Sequence, residues 1–271
     1  MNVGGAHSFP TIVALGSSFA AGPGISPVVN RAAGRSGENS AHLVSRKLGG
    51  RLIDATVSGA TTATILHDGQ RVGRHRFLPQ IESVRPDTDL VLLTAGGNDL
   101  QYVGSLAARA RANGLIRRPL TRSLGRRALR RSPLTQPSDE QVQLAIAGLE
   151  RIVMECSRRA PRARIILVDY LPVFDDDSTS GPVLPLTESE IRHFRAVAAQ
   201  LSSLFVVAAK STGADLVPAS AYESGHGAGS AQPYVLGVET RKGDGMPFHP
   251  TRAGMRAAAD EVLALLGRRS V

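Results

Sequence analysis

The sequence predicts an α/β fold of three layers, with helices on both faces of a central sheet of about five parallel strands. Short apolar runs alternate along the chain with longer segments of helical periodicity, which is the order of repeated βα units. The 271 residues are 42% apolar and 20% charged, which excludes a wholly disordered, collagen-like or coiled-coil chain. No repeat or linker divides the chain, so a single domain over residues 1–271 is expected.

Five segments are predicted to be strands of this sheet. Two of them, TIVAL at residues 11–15 and LVLLTA at residues 90–95, are continuous apolar runs. Such runs are typical of parallel strands that are covered on both faces. The other predicted strands are residues 52–57, 164–169 and 215–217.

Four segments are predicted to be helices from the signals at their ends: residues 38–48, 138–159, 187–211 and 250–266. The first ends at a pair of glycines. Capping boxes open the next two, Ser138 with Gln141 and Thr187 with Glu190. The last begins at Pro250, because proline is favoured in the first helical turn. Between these helices, the glycine-rich residues 220–245 are predicted to form a long functional loop.

The formal net charge of +9 is confined to one segment. Residues 100–138 contain nine arginines and no acidic residue, while the other 23 basic residues are matched by 23 acidic ones. The segment at about residues 109–137 is therefore interpreted as a basic insertion or lid-like segment. Within it Arg118, Arg122, Arg126 and Arg130 recur every fourth residue and share one face if the segment is helical.

This basic face has several interpretations: a lid, a surface that docks on an anionic membrane, an attractor of acidic substrates, or an ordinary solvated helix. No nucleic-acid partner is expected, because aromatic residues are 4% of the chain and tryptophan is absent. The single cysteine, Cys156, is predicted to fill a helix core.

The first 30 residues carry no charged side chain and are interrupted by Pro10 and Pro23. They predict neither a signal peptide nor a membrane span. A cytoplasmic protein is expected from this start, although a secreted mature form that has lost its leader would carry the same sequence.

Ligands of parallel α/β sheets bind beyond the carboxyl ends of the strands. The polar motifs at these places are GSSFAAG from Gly16, SGATT from Ser58 and GGND from Gly96, with DGMPFHP from Asp244 before the last helix. They supply a hydroxyl, a glycine amide, an asparagine amide and an imidazole. These are the parts of an acyl-transfer site: nucleophile, oxyanion donors and general base.

In these four motifs the sequence resembles the SGNH hydrolases, also called the GDSL esterase/lipase family. The resemblance implies a flavodoxin-like SGNH fold and places Ser18 as the nucleophile, although Ser17 stands where the family usually has aspartate. It implies that the oxyanion hole is formed by the amides of Ser18 and Gly59 and the side chain of Asn98. His249, in the pair His-Pro, would be the general base.

One departure from the family pattern concerns the acid that orients the base. Met246 stands three residues before His249, where the family usually has aspartate, and Asp244 lies five residues before it. Either Asp244 bends back to complete the triad, or a backbone carbonyl near Met246 takes its role.

The resemblance implies a serine esterase or lipase that works through an acyl-enzyme on Ser18, with no metal or organic cofactor. Its substrate would be a small-molecule or lipid ester. Two alternatives remain: an acyltransferase that uses the same acyl-enzyme, and a non-catalytic module that binds an anionic ligand or membrane on an SGNH scaffold. His226, in the long loop, is interpreted as structural.

Overall fold

The computed structural model describes residues 9–222 and 225–268. Its central sheet is fully parallel and has the strand order β2-β1-β3-β4-β5. The strands are β1 Thr11–Gly16, β2 Arg51–Asp54, β3 Leu90–Thr94, β4 Arg164–Val168 and β5 Asp215–Val217. All five predicted strands are present, and the predicted fold class is confirmed.

The helices of the described residues are α1 Ser18–Ala21, α2 Ser40–Leu48, α3 Thr62–Leu66, α4 Tyr102–Ile116, α5 Arg122–Arg131, α6 Asp139–Arg159, α7 Glu188–Thr212 and α8 Arg252–Arg268. Helices α2 and α8 cover one face of the sheet, and α3, α4, α6 and α7 cover the other. Alternate residues of a strand point to opposite faces, so Val13 and Leu15 pack in one core and Ile12 and Ala14 in the other.

Side-chain caps set two helix starts slightly later than predicted. Asn39 accepts a hydrogen bond from the His42 backbone N–H, so α2 begins at Ser40 instead of residue 38. Thr251 Oγ1 accepts the Gly254 N–H, so Pro250 lies just outside α8. The two predicted capping boxes open α6 and α7 as expected.

Three helices and two short hairpins were not predicted. Helices α1 and α3 have only four and five residues, and α4 has no strong apolar stripe. The hairpins pair Val28–Asn30 with Arg35–Ser36 and Gln70–Val72 with His75–Phe77. Elements this short lack the periodicity that identifies longer ones.

The basic segment forms the end of α4 and the whole of α5, which pack against each other as a helical hairpin. Arg122, Arg126 and Arg130 lie in α5, as the fourfold spacing predicts. Arg118 does not belong to that helical face. It precedes a 3₁₀ turn, Pro119–Thr121, because Pro119 interrupts the helix between α4 and α5.

Three smaller predictions can be compared with the structure. Cys156 is a free, fully buried residue in the core, as expected. His226 stacks on Tyr234 with ring centroids 3.9 Å apart, and its Nδ1 lies 2.8 Å from the Gln232 carbonyl, consistent with a structural role. No helix in the described part of the chain is long and apolar enough to cross a membrane. Residues 1–8, on which the targeting prediction partly rests, lie outside the described residues.

Candidate active site

The sequence-predicted site residues follow three neighbouring strands at one edge of the sheet. Ser18 comes directly after β1, Gly59 lies in the turn that follows β2, and Asn98 follows β3. Because these strands are parallel and adjacent, their carboxyl ends open on the same edge. The fold therefore gathers residues that are up to 80 positions apart in the sequence.

Gly16 fixes the end of β1 through a contact that only glycine permits. Its φ is +145°, and a Cβ atom there would lie 2.4 Å from the Thr94 carbonyl oxygen. Gln80 clamps the same residue from the side: its Oε1 accepts the Gly16 N–H at 2.7 Å and its Nε2 donates to the Gly16 carbonyl at 3.0 Å. The strand end that carries the serine is thus held on both sides.

Ser18 is the first residue of α1 and is 8% exposed. The first amides of a helix have no partner within the helix. Accordingly, the Ser18 N–H makes no hydrogen bond to any other described residue. This N–H is available to an oxygen atom brought to the Ser18 side chain.

Gly59 and Asn98 lie beside each other at this edge. The Asn98 Nδ2 donates to the carbonyl of Ala60, the residue after Gly59, at 2.8 Å. Gly59 has a φ of +83°, and its N–H bonds no other group of the described chain. Asp99 ties the same two loops together, because its carboxylate accepts the N–H and the hydroxyl of Thr62 at the start of α3.

His249 closes a turn that starts at Met246, whose carbonyl accepts the His249 N–H at 3.1 Å. Pro247 and Phe248 are the central residues, and Phe248 has a φ of +59°, as the third residue of a type II turn requires. This conformation is costly for a phenylalanine. It is stabilised by complete burial of the Phe248 side chain and by paired hydrogen bonds of residues 248 and 249 with Leu236.

The turn brings the His249 Nδ1 to 2.8 Å from the Pro247 carbonyl oxygen. A carbonyl only accepts hydrogen bonds, so Nδ1 carries the proton and the lone pair of the neutral ring lies on Nε2. Burial lowers the pKa of His249 below its ordinary value, and the hydrogen bond to Pro247 opposes this only in part. The ring lies 5.8 Å from that of Phe19, the neighbour of Ser18.

Among the described residues, Asp244 makes no hydrogen bond or ion pair with His249, so the contacts do not support the first of the two expectations for this position. Its backbone forms an isolated antiparallel bridge with Ile25, and its N–H donates to the Arg241 carbonyl at 3.1 Å. The Asp244 residue is exposed. The hydrogen-bond partner of the His249 Nδ1 is the Pro247 carbonyl.

Tyr170, which the sequence reasoning missed, links two of the motifs. Its hydroxyl lies 3.0 Å from the Ser17 Oγ and accepts the Gly97 N–H at 3.1 Å. Burial raises its pKa to about 12, so the phenol keeps its proton. Ser17 stands where the family usually has aspartate. Its contact with Tyr170 is therefore a pair of neutral hydroxyls. Tyr170 follows β4 at the same sheet edge, and this position after a strand was the signal in the sequence that could have identified it.

Replacing Tyr170 by phenylalanine is expected to lower the free energy of unfolding by about 1–3 kcal/mol, because two buried polar groups lose their partner. Tyr102 offers a matched control: it is as deeply buried, but its hydroxyl has no hydrogen-bond partner among the described residues. Tyr102→Phe should therefore leave stability unchanged or raise it. Urea unfolding of both variants measures the difference, and equal losses would contradict the role given to Tyr170.

The titratable residues outside this edge do not meet the requirements of a metal site in the described part of the chain. In residues 9–222 and 225–268, no group of three or more histidine, cysteine, aspartate or glutamate side chains is arranged to hold a metal ion. His42 lies 3.5 Å from Asp54 and also contacts Asn39, in a cluster that joins α2 to β2.

Comparison with known proteins places this geometry in context. The model of the GDSL-like lipase/acylhydrolase family matches residues 14–257. "Lipase 2" of Streptomyces coelicolor is 30% identical over 276 residues, which cover 97% of this chain and 88% of that protein.

Two solved structures have the same fold. An extracellular lipase from Streptomyces rimosus superposes with a TM-score of 0.70 at 20% identity, covering 94% of this chain and 98% of that one. Phospholipase A1 from Streptomyces albidoflavus also gives a TM-score of 0.70, at 21% identity, covering 94% of this chain and 99% of that one.

Proposed function

Because the chain belongs to the GDSL-like lipase/acylhydrolase family and is an ester hydrolase of that type, we propose that it cleaves esters through an acyl-enzyme on Ser18. One observation carries the assignment of the residues. At the carboxyl edge of the sheet, the Ser18 and Gly59 N–H groups have no partner among the described residues, and the Asn98 side chain donates to the carbonyl of Ala60, the residue after Gly59. Unpaired donors around a serine hydroxyl are what an oxyanion requires.

In the proposed reaction, His249 Nε2 takes the proton of Ser18 as the serine oxygen attacks the ester carbonyl carbon. The Ser18 and Gly59 amides and the Asn98 side chain hold the oxyanion of the tetrahedral intermediate. His249 then gives the proton to the leaving alcohol. Water, deprotonated by the same nitrogen, then attacks the acyl carbonyl, the bond to the Ser18 oxygen breaks, and His249 returns the proton to that oxygen as the acid leaves.

The Pro247 carbonyl takes the role of the third triad member in this proposal. It fixes the tautomer of His249 as a carboxylate would, since it accepts the Nδ1 proton at 2.8 Å. A neutral carbonyl stabilises the imidazolium less than a carboxylate does. Burial lowers the pKa of His249, which keeps the resting base neutral.

Asp244→Asn is therefore expected to lower kcat by less than about tenfold, well short of the loss seen when a triad carboxylate is replaced. The Asp244 side chain is exposed, and its backbone role is kept in asparagine. Steady-state kinetics with a soluble ester measure the effect. A loss of several orders of magnitude would restore Asp244 as the acid and remove Pro247 from the mechanism.

An apolar cavity of about 590 Å³ adjoins the two residues before His249 and is proposed to take the acyl chain. Pro247 and Phe248 form one side of it, and residues of α4 that include Ala107, Ala110 and Gly114 form another. A second cavity, of about 540 Å³, lies on the other side of α4 and is more polar; Asn98 and Gly104 are among its lining residues. Alkyl chains favour the first, because burying each methylene contributes about 0.8 kcal/mol.

Gly114→Phe should lower kcat/KM for long-chain esters by tenfold or more, while acetate esters are cleaved as before. Displacing about two methylenes of the acyl chain from the cavity accounts for that factor. A side chain at Gly114 enters open space, so the helix tolerates it. Gly104→Phe is the matched control, because Gly104 is also unobstructed and lines the other cavity. If the control shows the chain-length effect instead, the acyl chain lies in the second cavity.

The proposal as a whole is tested with p-nitrophenyl esters from acetate to long acyl chains, measured with the parent protein and Ser18→Ala. Turnover that disappears in the variant supports the serine hydrolase. Product analysis with added alcohols separates hydrolysis from acyl transfer, because a transferase yields a new ester. Absence of turnover over the whole series would favour the non-catalytic module.

A further inference from the structure

The hairpin of α4 and α5 carries an unusual set of charges. Of the nine arginines between residues 100 and 138, only Arg109 forms an ion pair within the described part of the chain, with Glu190. The other eight are exposed and pair with no carboxylate of the described residues: Arg111, Arg117, Arg118, Arg122, Arg126, Arg127, Arg130 and Arg131. We call residues 111–131 the arginine hairpin. Its positive charge is uncompensated within the described fold.

Two leucines project from the same hairpin. Leu120 is 97% exposed, the most of any large apolar residue among those described, and Leu124 is 58% exposed. Leu120 lies in the 3₁₀ turn and Leu124 in the first turn of α5, and both stand among arginines in the sequence. Exposed leucines between arginines are unfavourable in water, and they are typical of helices that lie in a membrane interface.

Helix α5 contributes almost nothing to the protein core. Gly125 is its only buried residue, and a Cβ atom there would lie 2.6 Å from the Ala112 carbonyl oxygen of α4. Thr121 also donates to the Leu115 carbonyl at 2.8 Å. These contacts fix α5 against α4, and apart from the half-buried Leu129 its other residues are exposed. The sequence of that surface is therefore not explained by packing.

The arginine hairpin also borders the apolar cavity of about 590 Å³. Arg111, Arg117 and Arg118 line this cavity together with Pro247 and Phe248. A molecule held at the hairpin is thus next to an apolar space that leads to the residues before His249.

We propose that the arginine hairpin docks the protein on an anionic lipid bilayer. Its arginines pair with lipid phosphates, and Leu120 and Leu124 enter the acyl boundary. The leucines favour lipid over a nucleic acid or an acidic protein, because such partners offer no hydrocarbon layer. Each arginine near an anionic surface strengthens binding by about fivefold. Docking does not depend on the chemistry proposed for Ser18. Only the entry of a docked lipid into the apolar cavity rests on that proposed function.

The test measures co-sedimentation with vesicles in the Ser18→Ala background, so that no lipid is consumed. Vesicles of equimolar phosphatidylglycerol and phosphatidylcholine are compared with phosphatidylcholine alone. The variant changes Arg126, Arg127, Arg130 and Arg131 to glutamine, and none of these side chains makes a hydrogen bond to the described residues. The matched control changes four exposed arginines outside the hairpin to glutamine: Arg85, Arg151, Arg162 and Arg256.

We expect the hairpin variant to bind anionic vesicles a hundredfold or more weakly, and the control close to the parent. If both variants lose binding equally, the effect comes from net charge alone and the proposal is overturned. Unchanged binding of the hairpin variant would also overturn it. Binding of the parent should also weaken with salt, because exposed charges are screened. Equal binding to both kinds of vesicle would contradict the electrostatic role.

Changing the two leucines tests lipid docking independently of charge. Binding of a soluble polyanion would not require exposed leucines. Leu120→Ser with Leu124→Ser should weaken vesicle binding about tenfold or more, and Leu144→Ser, at a residue 63% exposed on α6, should not. If heparin binds the parent and these leucine changes leave vesicle binding intact, the hairpin recognises soluble polyanions and the lipid proposal fails. In the Ser18 protein, turnover of p-nitrophenyl acetate should be the same with and without the hairpin changes, which separates docking from catalysis.

Discussion

Ser18→Ala and His249→Ala are each expected to lower kcat for ester hydrolysis by roughly four to six orders of magnitude. The serine oxygen forms the covalent bond to the acyl group, and the imidazole carries the proton of that same step. Because the two act as one unit, the double variant should be hardly slower than either single variant. Steady-state kinetics with a soluble p-nitrophenyl ester measure all three.

Ser17 is the matched control for this prediction. It adjoins Ser18 and is more deeply buried, and its hydroxyl contacts Tyr170. Ser17→Ala should retain most of the activity, and covalent labelling by an organophosphonate should occur on Ser18. A label on Ser17, or activity that survives Ser18→Ala, would contradict the assignment of the nucleophile.

Asn98→Ala is expected to lower kcat by about 10²–10³ with little change in KM, because the lost donor acts on the oxyanion and not on the bound ester. In the free protein the Asn98 amide donates to the Ala60 carbonyl, and an Nδ2 group has a second hydrogen to offer. The loss should be similar for short and long acyl chains, since the oxyanion is common to all esters.

Asn113→Ala separates this catalytic effect from loss of a structural amide. Asn113 is also partly buried, and its Nδ2 donates to Glu190 at 2.6 Å in a region outside the proposed oxyanion hole. Its replacement should affect unfolding more than kcat. If the two variants lose activity equally, or if Asn98→Ala mainly raises KM, Asn98 is not an oxyanion donor.

The five strands and four of the eight helices, α2, α6, α7 and α8, could be predicted because their signals are local. Apolar runs such as residues 90–95 identify buried strands, and the capping boxes at Ser138 and Thr187 identify helix starts. Helix α4 was missed because its apolar residues do not form one clear stripe. The single-domain prediction over residues 1–271 and the triad assignment stay predictions.

The sequence alone determined the fold class, the four site motifs and the location of the excess charge, since each depends on residues close together along the chain. Only the tertiary structure decided which oxygen meets the His249 Nδ1. The Pro247 carbonyl reaches it because Phe248 adopts a left-handed conformation, which its burial in the core and its pairing with Leu236 stabilise. Tyr170 joins Ser17 to Gly97 across 153 and 73 residues for a similar reason. Such contacts depend on packing between distant segments, and no local pattern of residues specifies them.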